Sequence, residues 1–277
     1  MRNKNAWDRG YTYYGYDLRD AVSYAKAYAE RRGVLHELVL KEYFRKMKIV
    51  SSMIHERLKK DSSILEVGCG GGYYLEYIHQ GYNNTFLVGI DISMRAIKER
   101  RINGAKLSNI EFIEADAKQL PFRDDVFDCV YSSETLEHIP HVGKFFSEAF
   151  RIMKRGLMVA LTPNGERINP FLALVVPILL FKKAKEKSII TEINPRESPE
   201  PYDRALSRAE LEYLCISKGF HNVNVEPIFH FPSHPSFPEK FKFSRLIYNL
   251  FLFMEPIFKT LLKRYGRLLI LSAEKLG

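Results

Sequence analysis

The stretch that most constrains this chain is Ser63 to Gly72, SILEVGCGGG. Ile64, Leu65 and Val67 form a short apolar run with strand character. The run breaks into Gly68, Gly70, Gly71 and Gly72. Tyr73, Tyr74, Leu75, Tyr77 and Ile78 then recur at helical spacing, with Gly81 as the expected stop. A strand, a glycine-rich loop and a helix follow one another. Glycine is required where backbone turns tightly or approaches a ligand that a Cβ would block. In open α/β sheets such loops lie at the carboxyl edge, where ligands bind. The glycines lack the terminal Gly-Lys-Ser/Thr of a phosphate loop, and they miss the dinucleotide spacing.

The following segments repeat the theme. Phe86 to Ile90 reads as a second strand that ends in Asp91, placed to accept two ribose hydroxyls. Ser93 is a suitable N-cap for a helix carrying Ala96 and Ile97, ending near Asn103-Gly104. Ile110 to Glu114 reads as a third strand, stopping at Ala115-Asp116. Phe127 to Tyr131 is a fourth, a helix is expected from about Val142 to Met153, and Leu157 to Leu161 is a fifth strand before Thr162-Pro163-Asn164. Alternation of this kind predicts an α/β fold, a mostly parallel sheet with helices on both faces. Before it, Asp17 to Lys60 has a helical pattern, with apolar faces at Leu35, Leu38, Val39 and Phe44 and at Ile49, Val50, Met53, Ile54 and Leu58. Gly33 is placed to separate two helices. Trp7, Tyr11, Tyr13, Tyr14 and Tyr16 crowd the first residues, a composition suited to a lid or to a tail packed on the domain.

ILEVGCGGG, then VGIDIS, then FIEADAKQLPFRDDVFDCV resembles the class I S-adenosylmethionine-dependent methyltransferases, nearest to the subgroup called type 11, over roughly Ile64 to Asn164. The resemblance implies a Rossmann-like sheet closed by an antiparallel hairpin, assigned here to Val223–Glu226 and Arg267–Ser272. It implies S-adenosylmethionine as cofactor. Glu66, Gly68, Cys69 and Gly70 would lie along its methionine and ribose. Asp91, with Ile92, would hold the ribose hydroxyls. Asp116 and Ala117 would meet the adenine, and Ser132 would complete the cofactor site.

The stretch after the fourth strand, Ser132 to His141, carries the candidate chemistry. If Glu134 opens a helical turn, Glu137 and His138 follow at i+3 and i+4 on the same face. Three readings are open. The three side chains suit a divalent ion, His138 suits a general base oriented by Glu137, and the group suits plain hydrogen bonding of the loop. Methyl transfer from a sulfonium mainly needs alignment and exclusion of water. A base is required only where the acceptor carries a proton.

Glu134, Glu137, His138 and Thr162-Pro163-Asn164 resemble the ubiquinone-pathway O-methyltransferases, which carry an apolar insertion directly afterwards. That resemblance implies a hydrophobic or lipid-linked small-molecule acceptor and favours O-methylation. The small-RNA 2′-O-methyltransferases share the ETLEH and TPNGE patterns but complete a metal site with a later histidine. Glu197 to Glu210 has none here. The net charge of +9 keeps nucleic acid as the second reading. A cofactor-binding protein without catalysis is the third.

Three domain parts are expected: a helical cover over residues 1–60, a cofactor core over 61–165, and a remainder over 166–277 with apolar insertions at about 169–190 and 237–265. PFLALVVPILLF at Pro170–Phe181 precedes Lys182, Lys183, Lys185 and Lys187, and Phe237–Tyr265 interleaves apolar with basic residues. Neither reaches the ~18 apolar residues of a spanning helix. Together they suggest a peripheral membrane surface; the alternative is a roof over the active site. The three cysteines, Cys69, Cys129 and Cys215, form no CxxC pair, and residues 1–16 lack a signal-peptide pattern, so a reduced, cytoplasmic setting is expected.

Overall fold

The computed structural model describes residues 21–32, 35–59, 61–79, 85–103, 109–166, 203–230, 243–261 and 265–277. Helices α1 (Ala21–Arg32) and α2 (His36–Arg57) precede strand β1 (Ser63–Val67). Next come α3 (Tyr73–His79), β2 (Phe86–Asp91), α4 (Met94–Asn103), β3 (Ile110–Glu114) and β4 (Phe127–Ser133). A 3₁₀ turn (Leu136–His138) leads to α5 (Gly143–Ile152), β5 (Met153–Pro163), α6 (Arg208–Ile216), β6 (His221–Ile228), α7 (Ser244–Leu261) and β7 (Leu268–Lys275).

The described strands form one sheet in the order β3-β2-β1-β4-β5-β7-β6. The first five are parallel, and β7 runs antiparallel to both β5 and β6. The expected fold class is observed. The order turns back between β1 and β4, which opens a crevice at their carboxyl ends, the usual ligand position in such sheets. Ser132 bridges that point: its Oγ donates to the Val67 carbonyl at 3.0 Å.

Alternation along the strands builds a core on each face. Leu65, Val67, Val88, Ile90, Val130, Met158 and Ala160 face α5 and α6, meeting Phe145, Phe146, Ala149, Leu211 and Cys215. Ile64, Leu87, Cys129, Tyr131, Leu157 and Val159 face α2 and α3, meeting Met47, Val50, Ile54, Leu75 and Ile78. Ser207 begins α6 with a capping box, accepting from the Glu210 N–H while the Glu210 carboxylate accepts from the Ser207 N–H.

Several boundaries move. The fifth strand starts at Met153, not Leu157, because Met153 leaves the helix in extended conformation and pairs with Phe127. It runs on to Pro163 because β7 supplies partners from Lys275 to Leu268 along that length. The hairpin strands are also longer than the assigned Val223–Glu226 and Arg267–Ser272. The second insertion contains α7, eighteen residues with Pro256 inside it. Tyr248 and Phe258 of that helix are buried, whereas Phe243 just before it and Leu246, Leu250, Phe253 and Ile257 within it are exposed. No helix among the described residues is long and apolar enough to cross a membrane. The aromatic start of the chain, Gly33, Gly81 and the first insertion lie outside the described residues.

Candidate active site at the strand carboxyl ends

The glycine loop turns directly off β1. Gly68, Gly70 and Gly72 all have φ in the left-handed region, which side chains other than glycine adopt at a cost. The Gly68 and Cys69 N–H groups donate to the Ile90 carbonyl at 2.8 and 2.9 Å, tying the loop to the end of β2. A Cβ at Gly68 would lie 2.2 Å from Thr135 Oγ1, so the loop after β4 is packed against the glycine loop.

Asp91 is buried at the end of β2. One carboxylate oxygen accepts from the Gly70 N–H at 2.9 Å and the other from the Ser93 N–H at 2.8 Å. The carboxylate is thus held between backbone donors on both sides, with Ile92 beside it. Asp116 follows β3, where the Lys118 ammonium meets both its oxygens at 2.8 Å. Ala117 is half-buried against the core. Glu66 is buried on β1, in register with Gly89 and Tyr131. Burial drives the Tyr131 phenol well above its ordinary range, and the neighbouring Glu66 charge adds to it. The Ser132 hydroxyl is buried and engaged with Val67.

The shared helical face expected for Glu134, Glu137 and His138 does not form. Glu134 stands outside the helical turn at φ +50°, its N–H donating to the Leu161 carbonyl at 2.7 Å. Its carboxylate accepts from Lys46 Nζ at 2.6 Å, toward α2. Burial alone would raise the Glu134 carboxyl, but Lys46 prevails and holds it below the ordinary value. Only the Leu136–His138 segment turns, as 3₁₀. Glu137 points into the protein and is 3% exposed, its Oε2 accepting from Thr162 Oγ1 at 3.0 Å. His138 Nε2 lies 3.9 Å from Glu137 Oε1, a charge contact longer than a hydrogen bond. Burial raises the Glu137 carboxyl to about 7; His138 works against the rise and the Glu134 charge with it. Among the described residues, no group of three His, Cys, Asp or Glu side chains is arranged to hold a metal ion. The helical-face geometry that suggested a three-ligand set is therefore corrected.

Residue-by-residue reading missed Lys46 and Glu42. Leu38, Glu42, Lys46, Val50 and Ile54 form one i+4 row along α2, and all five are buried. Two opposite charges inside an apolar row were the available signal.

A methyltransferase-domain family model matches residues 65–161. Phthiotriol/phenolphthiotriol dimycocerosates methyltransferase 1 of Mycobacterium ulcerans is 33% identical over 108 residues, 37% of this chain and 39% of the relative, so the match spans well under half of that protein. Demethylmenaquinone methyltransferase of Staphylococcus aureus is 27% identical over 221 residues, 72% of this chain and 89% of the relative. Phosphoethanolamine N-methyltransferase 2 of Haemonchus contortus, solved with S-adenosyl-L-methionine, superposes with a TM-score of 0.52 at 18% identity, covering 82% of this chain and 52% of that one; this likeness concerns the fold.

Proposed function

We propose a substrate class and a chemical role for a chain that belongs to the class I S-adenosylmethionine-dependent methyltransferases: it transfers a methyl group to a hydrophobic or lipid-linked small molecule, at oxygen. The observation that carries the reading is the Glu137–His138 pair, just beyond β4 and one turn from the contact between Thr135 and the glycine loop. A hydroxyl acceptor brings a proton that must leave, and an imidazole beside a buried carboxylate is equipped to take it.

The residues fit the cofactor. Gly68 and Gly70 hold the left-handed backbone of the loop, with Gly68 packed under Thr135, and Asp91 is oriented by two backbone donors. Gly68, Cys69 and Gly70 would lie beneath the methionine and ribose, Asp91 and Ile92 at the ribose, and Asp116 with Ala117 at the base. The bound cofactor supplies an electrophilic methyl on a sulfonium. What the chain contributes is alignment of the acceptor and removal of its proton. His138 takes that proton, and Glu137, itself held by Thr162, offsets the imidazolium charge. Tyr131 and Tyr74 are buried in the core on the α3 side of the sheet.

The acceptor class draws support from the relatives named for phthiotriol and phenolphthiotriol dimycocerosates and for demethylmenaquinone. It also draws support from the exposed stripe on and beside α7, Phe243, Leu246, Leu250, Phe253 and Ile257, spaced three and four residues apart. An apolar stripe with basic neighbours suits an interfacial helix. Docking there would let a tailed acceptor enter without crossing water.

The test is incorporation of labelled methyl from S-adenosylmethionine into an organic lipid extract, run beside total RNA. Label in a lipid that depends on His138 supports the reading. Label in RNA alone overturns it and moves the function to the nucleic-acid alternative. Flotation on anionic vesicles tests the surface: binding at low salt that weakens as salt rises is expected.

A further inference from the structure

Four buried or half-buried charges form an alternating chain between α2, the residue before β7 and the loop after β4. Arg267 pairs with Glu42, Glu42 Oε1 lies 3.7 Å from Lys46 Nζ, and Lys46 Nζ donates to Glu134 at 2.6 Å. Glu42 and Lys46 are almost wholly enclosed, with side chains 1% and 8% exposed. The chain is neutral as a whole, two acids and two bases, which is the arrangement that makes buried charge tolerable.

Its far end is a backbone under constraint. Glu134 is a non-glycine residue at φ +50°, a conformation that persists only where neighbours over-determine it. Two neighbours do so: the Leu161 carbonyl accepts from its N–H, and Lys46 holds its carboxylate. Thr135, the next residue, packs on Gly68, and its carbonyl accepts from the His138 N–H at 2.9 Å. Release of Glu134 would therefore reach the His138 turn through Thr135, while the glycine loop stays tied to the Ile90 carbonyl by its own N–H groups.

We propose that Lys46 is a positioning residue: the contact of helix α2 with Glu134 sets the loop that carries Glu137 and His138, so that seating the N-terminal helical cover on the sheet completes the acceptor site. This rests on the proposed role of that pair. The groups facing Glu134 are Lys46 and Glu42 from α2, Arg267 ahead of β7, Tyr74 from α3 and Glu137 from its own loop. Lys46 is the cation in direct contact. Without it the Glu134 carboxyl rises, and the loop gains a group that titrates in a higher range.

The experiment compares wild type with Lys46→Met, Lys46→Arg and Glu134→Gln in the full chain. Amide exchange at Glu134 and His138 is expected to quicken about tenfold or more in Lys46→Met. Lys46→Arg should restore it, since a guanidinium keeps the charge and a donor. Glu134→Gln keeps an acceptor and should lie between. S-adenosylhomocysteine titration should stay within about threefold of wild type in all three. With labelled cofactor and the lipid extract, Lys46→Met should lose about tenfold or more in kcat, with the acidic limb of its pH profile moved upward, and Lys46→Arg should recover most of it. Wild-type exchange at Glu134 and His138 in Lys46→Met overturns the proposal, as does a loss that Lys46→Arg fails to restore. If Lys46→Met does not fold, Glu134→Gln decides: wild-type exchange at His138 in that variant overturns the proposal. Absence of lipid labelling by wild type would sink the acceptor class while the exchange result still decides the role of Lys46.

Discussion

Thr162 Oγ1 donates to Glu137 Oε2 at 3.0 Å, joining the end of β5 to the turn after β4 through two buried side chains. Thr162→Val keeps the shape and removes the donor. A buried carboxylate deprived of a partner costs about 1–3 kcal/mol. The variant is expected to lose stability of that order in denaturant unfolding, and its Glu137 carboxyl is expected to rise further. An unfolding midpoint equal to wild type would show that the contact contributes nothing.

The raised Glu137 carboxyl has a pH signature. The folded group titrates near 7, above the ordinary value of 4.5. The unfolded chain therefore releases the proton first. This group lowers stability progressively as pH rises from about 4.5 to about 7, and the loss then levels off at about 3 kcal/mol. Glu137→Gln should remove that slope, so the variant gains on wild type as pH rises through the window. Parallel stability profiles for the two proteins between pH 4.5 and 7 would contradict the assignment.

Cofactor affinity should depend on the loop and on Asp91 together. Asp91→Ala removes the acceptor for the Gly70 and Ser93 N–H groups as well as the proposed ribose contact. Gly68→Val forces a side chain into Thr135 at a positive φ. Each is expected to weaken S-adenosylhomocysteine binding by about tenfold or more, read by titration calorimetry. Unchanged affinity in both would remove the cofactor site from this crevice.

Ser132 separates support from contact. Its hydroxyl donates to Val67 between β4 and β1. Ser132→Ala should cost about 0.5–1.5 kcal/mol in unfolding while leaving S-adenosylhomocysteine affinity within about threefold. A large loss of affinity at wild-type stability would instead make Ser132 a direct cofactor ligand.

Most of the architecture was legible in the chain itself, because it is local. Apolar runs of strand length, each closed by Gly68, Asp91, Asp116 or Glu134, mark strands and the edge where their polar ends gather. Short-range patterns report such elements well, since alternation and glycine placement act within a few residues. The length of β5 was not legible, because its partner β7 lies more than a hundred residues later and supplies the missing ladder.

What the sequence alone determined is the order of the strands' polar ends and the composition of the cleft: the glycines, Asp91, and the Glu137-His138 dipeptide after β4. What only the tertiary structure decided is where those side chains point. Glu134 sits three residues before Glu137, yet it is turned to Lys46, 88 residues earlier in the chain. A helical period would have put it with His138. The physical reason is charge burial. Once α2 packs on the sheet, Lys46 leaves water and needs a carboxylate within reach, and the backbone at Glu134 takes a left-handed conformation to supply one.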